Sequence, residues 1–481
     1  MNTTVFLNAL AVYVLALIAL SVFVSRRNKN GEDFLLAGRG LPIFLTIGTT
    51  VATMVGTGSS MGAVGFGYAN GWGGTLYGIG GAVGILLLGL WFAPVRALRF
   101  MTMSEEISYY VGANKWVKNI VAVLIFIASI GWLGAHILGG GLYLAWITDI
   151  DLQFAKIIIA VSFAIYVIIG GYNAVVWTDT LQAIILFVGF ILMALFAIDQ
   201  VGGWNTLLNA QPDVNISFLA LKSIGVLHGV SLVAVIAVGV LATPSFRQRI
   251  YSAHNTSAVR KSFYTSGTLY LAFSCIPAII GMSAYALNPE LDNRNFAFPY
   301  LAAEVLPLGL GILVLIAGLS ATMSSASSDA IAGVSILLRD LFSLVTGRMP
   351  ARDKVVGYSR ISLMAIIFIA LIFALLSNDI ISYITTMIAT VMTGLFVCGL
   401  LGRFWPRFNW TGALAALLAA SASSLVVANF YLDFWGNPII PAVIVALIAA
   451  VVVTLLTPAD ALNREQALAQ LEHERQQMES L

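Results

Sequence analysis

Residues 319–330 read LSATMSSASSDA: six hydroxyl side chains and one carboxylate inside an otherwise apolar stretch. On a helix, Ala321, Ser324, Ser325 and Ser328 fall at i, i+3, i+4 and i+7, so they share one face, with Ser327 beside it. Small residues let helices approach closely, and a serine can bond back to the carbonyl one turn earlier. That accounts for one or two of them. Four together suit a different task. Neutral oxygens, with carbonyls nearby, can surround a hard monovalent cation and still let it go.

Such a site needs oxygens from other elements. Residues 45–71, LTIGTTVATMVGTGSSMGAVGFGYANG, carry Gly48, Gly56, Gly58, Gly62, Gly65 and Gly67 among threonines and serines. Each glycine weakens a helix by about 1 kcal/mol. Gly56-Thr57-Gly58 is therefore the natural place for a break, with Ser59 just beyond. A second break is expected in VAVIAVGVLATPSFRQRIYSA, residues 233–253, where Pro244 lacks an N–H and crowds the preceding turn. Gly239, Thr243 and Ser245 flank it. Paired interrupted membrane segments mark the binding site of a transporter better than any other sequence feature. GGYNAVVWTDTLQ brings Asp179 into a span, and an acid at membrane depth reads as functional. Its alternative is an interfacial acid paired with a loop arginine. Asp329 lies nearer the inner end of its span and reads as structural. Trp132, His136, Gly139 and Gly140 share a face in GWLGAHILGGG. There His136 is either a packed core histidine or a cavity and proton-carrying group.

The elements that hold these residues follow from composition. Of 481 residues, 59% are hydrophobic and 10% charged, with mean hydropathy +0.94. About thirteen apolar runs are long enough to cross a bilayer as helices: 4–25, 41–68, 73–97, 117–147, 152–171, 176–199, 226–246, 262–287, 304–337, 357–377, 379–402, 409–430 and 437–456. The fold class is an all-α integral membrane protein of about 13 transmembrane helices. Placing the N-terminus outside leaves only Lys156, Lys222 and Arg294 on the outer side and the other basic loop residues inside, so the C-terminus is cytoplasmic. The organisation expected is a first helix (1–30), a core (38–405), two peripheral helices (406–457) and a solvated cytoplasmic tail helix (458–481). The start has no basic leader or small-residue cleavage site and reads as a retained helix. Cys275 and Cys398 read as buried small apolar residues, and no metal-binding Cys/His spacing is present. The net charge of +2 gives no indication of nucleic acid. No HExxH or facing pair of aspartates suggests an intramembrane enzyme. No signalling domain suggests a sensor.

Four segments together resemble the sodium:solute symporter family: FLLAGRGLP, GGYNAVVWTDTLQ, RQRIYSAHNTSAVRKS and LSATMSSASSDAIAGVSILLRDL, in order across about residues 5–405. The resemblance implies a five-plus-five inverted-repeat, leucine-transporter-like core and Na⁺-driven uptake by alternating access across a plasma membrane, the bacterial inner membrane. It implies no enzymatic activity and no catalytic residues. Carried over residue by residue, the main Na⁺ site takes the carbonyls of Ala52, Val55 and Ala321 and the hydroxyls of Ser324 and Ser325. A second Na⁺ site takes Asp179, Ser324, Ser327 and Ser328. Solute contacts are expected from Gly56, Thr57, Gly58, Ser59, Trp132, His136, Gly239, Thr243, Ser245 and Thr385. His136 stands where better-known members often carry glutamine, and Thr385, Thr386 and Thr390 replace larger polar groups of some sugar carriers. The expected partners are Na⁺, a small polar solute and the lipid bilayer, with the chain as a monomer. The solute expected is an amino acid or organic acid bearing a carboxylate, with a sugar as the alternative. The rival driving ion is a proton carried by Asp179 or His136.

Overall fold

The computed structural model describes residues 3–26, 31–348, 350, 354–376 and 380–480. Residues 1–2, 27–30, 349, 351–353, 377–379 and 481, which belong to the expected first span, loops and tail, lie outside the described residues. A bilayer offers a backbone no hydrogen bonds, so each crossing must satisfy its own N–H and C=O groups as helix. The described chain is accordingly helical throughout, and one bridge between Leu41 and Ala253 is its single strand-like pairing.

The helices used below are α1 (Thr3–Ser25), α2 (Ile43–Met54), α3 (Ala63–Asn70), α4 (Thr75–Leu87), α5 (Met103–Tyr110), α6 (Lys115–Thr148), α7 (Leu152–Val201), α8 (Val226–Ala242) and α9 (Pro244–Ser252). They continue as α10 (Thr256–Phe273), α11 (Cys275–Leu287), α12 (Leu308–Ile336), α13 (Val355–Leu375), α14 (Thr393–Phe404), α15 (Trp410–Phe430), α16 (Ile439–Leu456) and α17 (Arg464–Ser480). Among the described residues ten helices are long and apolar enough to cross a membrane, or eleven if the bent pair Phe218–Ile224 and Val226–Ala242 counts as one. Two of the long ones exceed a single crossing. α7 has 50 residues, roughly 75 Å of helix against a hydrocarbon core of about 30 Å. It leaves helical geometry at Gly171 (φ 61, ψ −161), where a β-carbon would lie 2.6 Å from the Phe34 ring. The 41-residue stretch Gly58–Leu98 likewise turns at Gly71 (φ 56, ψ −121).

α12 forms the centre. It packs against α7, α6 and α2, and every residue from Ala317 to Ile336 is buried. The hydroxyl-rich segment therefore faces protein on all sides. Apolar side chains on the periphery, such as Leu15, Phe368, Leu418 and Ile448, are exposed, as lipid-facing helices require.

Both expected breaks are present. α2 ends at Met54, and Val55 (φ −81, ψ 55) departs from the helix. A π-turn over Gly58–Gly62 then leads into α3. In the second, Thr243 is extended (φ −72, ψ 126), as a residue before proline prefers, and Pro244 opens α9 at its first turn. The ends of the two broken helices away from the breaks are tied together: Leu41 N–H donates to Ser252 O at 3.2 Å and His254 N–H to Leu41 O at 3.2 Å.

The sequence reading needs two corrections here. It places Arg247 and Arg249 in a loop, yet α9 carries both into the protein interior, 1% and 0% exposed. Proline begins a new helix there and does not end the span. The tail is also not solvated all round. α17 docks on α5 with Ala467 and Leu471 buried, held by Arg475 Nε to Glu105 at 3.3 Å and by Lys115 and Lys118 to Glu474 at 3.6 and 3.9 Å.

Candidate ion and solute sites at two helix breaks

When α2 stops at Met54, its last carbonyls lose the N–H donors that a further turn would bring. Serine hydroxyls take their place. Ser324 Oγ donates to Ala52 O at 3.0 Å, Ser325 Oγ to Thr53 O at 2.9 Å and Ser59 Oγ to Met54 O at 2.8 Å. Ser324 and Ser325 also reach Ala321 O at 3.3 and 3.2 Å. Ala52, Ala321, Ser324 and Ser325 thus meet in one buried cluster of neutral oxygens, and Thr53 O joins them. Its place beside the break is the signal that could have found it. Val55 lies buried within the break, its N–H bonded to Val51 O at 2.9 Å. A β-carbon on Gly56 would come 2.5 Å from Ser325 Oγ, so the approach of the two helices requires glycine. The oxygens fit a dehydrated monovalent cation. Each hydroxyl that now donates to a carbonyl has lone pairs it can turn toward an ion.

One turn further along α12, Asp179 gathers a second cluster. Its Oδ2 accepts from Thr49 Oγ1 at 2.6 Å and Ser328 Oγ at 3.0 Å. Ser327 Oγ stands 3.5 Å from Oδ1, too far for a strong bond, and donates instead to Ser324 O at 2.9 Å. Arg249 completes the cluster, its Nη2 lying 3.5 Å from Asp179 Oδ2. Thr49 Oγ1 at 2.7 Å, Thr49 O at 3.1 Å, Ser328 Oγ at 2.8 Å and Thr53 Oγ1 are the acceptors within reach of the two Nη2 hydrogens, and Nη1 donates to Ser245 O at 2.7 Å. The structure therefore brings Asp179, Ser327 and Ser328 together and adds a guanidinium among them. Asp179 pairs with an arginine, as one sequence reading allowed, but deep in the protein.

A small cavity of about 30 Å³ lies between the breaks. Of the residues expected to contact solute, Gly56, Gly58, Trp132, His136, Thr243 and Ser245 line it. Tyr77 and Asp329 join them unannounced, with Met54, Ile236, Val240 and Phe246 as the apolar wall. Other expected residues stand behind this lining. Thr57 Oγ1 bonds His136 Nδ1 at 3.0 Å. Ser59 is occupied by the break carbonyls. Gly239 packs on Ile388 and its carbonyl accepts from Thr243 Oγ1 at 2.6 Å. Thr385 is buried and is not among the described lining residues. His136 Nε2 meets Asp329 Oδ2 at 3.1 Å, both side chains at most 4% exposed. Asp329, read from the sequence as structural, thus belongs to the cavity. Trp132 stacks on His136 with centroids 6.2 Å apart and planes 16° apart.

A chain with two broken helices around a cavity, one of them meeting α12 at a buried cluster of neutral oxygens, has the build of a secondary transporter. The sodium:solute symporter family matches residues 34–420, and the chain belongs to that family. It is 25% identical to the sodium/glucose cotransporter of Vibrio parahaemolyticus, covering 85% of this chain and 82% of that one. It is 24% identical to the sodium/pantothenate symporter of Haemophilus influenzae, covering 92% and 94%. Its fold is similar to that of a Na⁺-coupled sialic acid symporter in a substrate-bound outward-open state, with TM-score 0.81, 19% identity and coverage of 95% of this chain and 99% of the other. Similarity extends to the nucleobase-cation-symport transporter Mhp1 at TM-score 0.61, 13% identity and coverage of 93% and 98%. The protein is a multi-pass membrane transporter and not an enzyme, in keeping with a bacterial inner membrane.

Proposed function

We propose that the protein takes up a small polar organic solute by Na⁺-coupled symport. The observation that carries this reading is the meeting of Ser324 and Ser325 with the freed carbonyls of Ala52 and Thr53. Na⁺ bound there ties α2 to α12. Solute bound in the cavity ties both breaks together. If both ligands favour the same conformer, each strengthens the other, and rocking of the bundle carries them inward together. Asp179, Ser324, Ser327 and Ser328 form the proposed second Na⁺ site, which a sodium ion enters only by displacing Arg249.

The proposed topology has thirteen crossings with the N-terminus outside. Its support is that α7 and Gly58–Leu98 are each too long for one crossing and bend at Gly171 and Gly71, while α8 and α9 form one broken crossing. The core at 38–405 then divides into two five-span repeats, with peripheral helices at 406–457 and a cytoplasmic tail at 458–481. The solute class follows the relatives only in part, since glucose, pantothenate and sialic acid appear among their names. A carboxylate-bearing solute, amino acid or organic acid, is favoured because the half-helix ends at the breaks offer unpaired N–H groups to an anion.

The test is the Na⁺ dependence of thermal stability in purified wild type and Ser324→Ala. Loss of one ligand should raise the Na⁺ concentration needed by roughly tenfold or more, with choline giving no stabilisation in either protein. An unchanged Na⁺ dependence overturns the assignment. A response to low pH and none to Na⁺ would favour the proton-driven reading, for which the buried His136–Asp329 pair is the supporting observation.

A further inference from the structure

Three buried polar atoms around the cavity have no partner: Asp329 Oδ1, Trp132 Nε1 and Ser245 Oγ. Asp329 is 2% exposed and Ser245 0%. Unsatisfied groups at this depth are rare and costly, so those that line a cavity are met by water or by a ligand. Their chemistry differs. Asp329 offers an acceptor, Trp132 a donor and Ser245 either. Around them stand Met54, Ile236 and Val240, apolar and aliphatic.

The state of Asp329 decides what it accepts. Among the described residues its ion-pair partner is His136, which holds Oδ2 alone. His136 is held on both sides, Nδ1 by Thr57 Oγ1 at 3.0 Å and Nε2 by Asp329 Oδ2 at 3.1 Å, and leaves Oδ1 open. Arg249 is engaged by Asp179, Ser328, Thr49 and Ser245 O. A buried carboxyl group with one oxygen unpartnered is met best by a charged donor. Anionic solutes without a cationic group would face that carboxylate unshielded.

We propose that the solute is a small zwitterion with a protonated primary or secondary amine. Its ammonium donates to Asp329 Oδ1, and its carboxylate accepts from Trp132 Nε1 and Ser245 Oγ. This rests on the reading of the cavity as the solute site, and it selects amino acids over organic acids and sugars.

The experiment measures stabilisation of the full-length protein, in NaCl and in choline chloride. The probes are the common amino acids, their 2-hydroxy acid counterparts, glycine betaine, pantothenate and glucose. At least one amino acid should stabilise, with its hydroxy acid and the N–H-free betaine inert. Asp329→Asn should weaken that amino acid by roughly 10- to 100-fold. Trp132→Phe, which removes a single N–H, should weaken it less. Both variants should keep the stabilisation by Na⁺ alone, which shows that they fold. Binding of a hydroxy acid, pantothenate or glucose as tight as that of any amino acid overturns the proposal. So does unchanged affinity in both variants, or the failure of every amino acid. Absence of Na⁺ stabilisation in wild type, with amine selectivity intact, would instead defeat the sodium-coupled reading and leave the zwitterion site standing.

Discussion

Replacing Arg249 by methionine tests the second cation cluster most directly. Asp179 and Arg249 are both 0% exposed, and Nη2 of the arginine is the cation nearest to the carboxylate, 3.5 Å away. Removing the guanidinium keeps much of the side-chain volume but leaves a buried carboxylate with only hydroxyl donors. Breaking such a pair from one side costs about 3–5 kcal/mol. The expected loss for Arg249→Met in choline chloride is therefore of that size. Asp179→Asn, which strands the guanidinium instead, should also destabilise. The double variant should lose less than the two singles together, with a coupling of about 1–3 kcal/mol, because neither charge is then left alone. Sodium adds a second arm. The vacated cluster presents Asp179, Ser327 and Ser328 without a competitor, so Na⁺ should restore stability in Arg249→Met by about 2.7 kcal/mol at a hundredfold excess over its dissociation constant. The assay is unfolding in mixed micelles, followed with and without Na⁺. A loss below about 1 kcal/mol for Arg249→Met, or strict additivity of the two single changes, would refute the argument that the pair compensates itself.

Two more outcomes follow from packing and charge. A β-carbon on Gly58 would collide with the Tyr77 hydroxyl and ring at the cavity wall. Gly58→Ala should therefore push Tyr77 into the cavity and cost solute binding about 1–3 kcal/mol while sparing the Na⁺ response, as titration of both ligands would show. Glu105 anchors the tail through Arg475. Burial alone would raise its carboxyl, but Arg475, Lys118, the Met101 N–H and Arg339 outweigh that and hold it below the usual carboxylate range. A depressed value gives stability that is complete above the unfolded pKa, about 4.3, and is lost as pH falls through the folded one. Docking of α17 should thus be unchanged from pH 7 to about 5 and weaken below about 4. A spin label at Glu472 should gain mobility only in the acid range, and equal mobility across it would show that the ion pair does not hold the tail.

The parts of the site legible in the sequence are those where polarity stands against an apolar background. Ser324, Ser325 and the glycines of the first break could be found that way, because lipid or packing explains them poorly. Asp179 stood out for the same reason. Asp329 and Arg249 did not, since the sequence locates a residue by its distance along a span. Asp329 seemed close to an end, yet α12 is buried to Ile336 and the acid meets His136 on α6. Arg249 lies past residue 246, where the apolar run ends, although the helix that Pro244 starts carries it on into the protein. The docking of the tail was within reach: Ala467 and Leu471 are spaced i, i+4, with Leu468 beside them, on a largely polar helix, the mark of one buried face. The turns at Gly71 and Gly171 are backbone events of the folded chain, and they fall where the sequence reading already divides its apolar runs, between 68 and 73 and between 171 and 176.

The two breaks also explain how an ion and a solute can act on one another without touching. Gly56 stands between them: a β-carbon there would lie 2.5 Å from Ser325 Oγ on the ion side and 3.2 Å from His136 Cε1 on the cavity side. The second break repeats the arrangement, with Ser245 lining the cavity while its carbonyl holds Arg249, which in turn reaches Thr49, Thr53 and Ser328. Whatever fixes the break at Gly56 from one side fixes it for the other. An ion that draws Ala52 and Ser325 together holds Gly56 against α12, and so sets the distance from α2 to His136 and Asp329. Linkage then requires the converse: a solute that orders His136 and Asp329 must raise the affinity for the ion by the same factor.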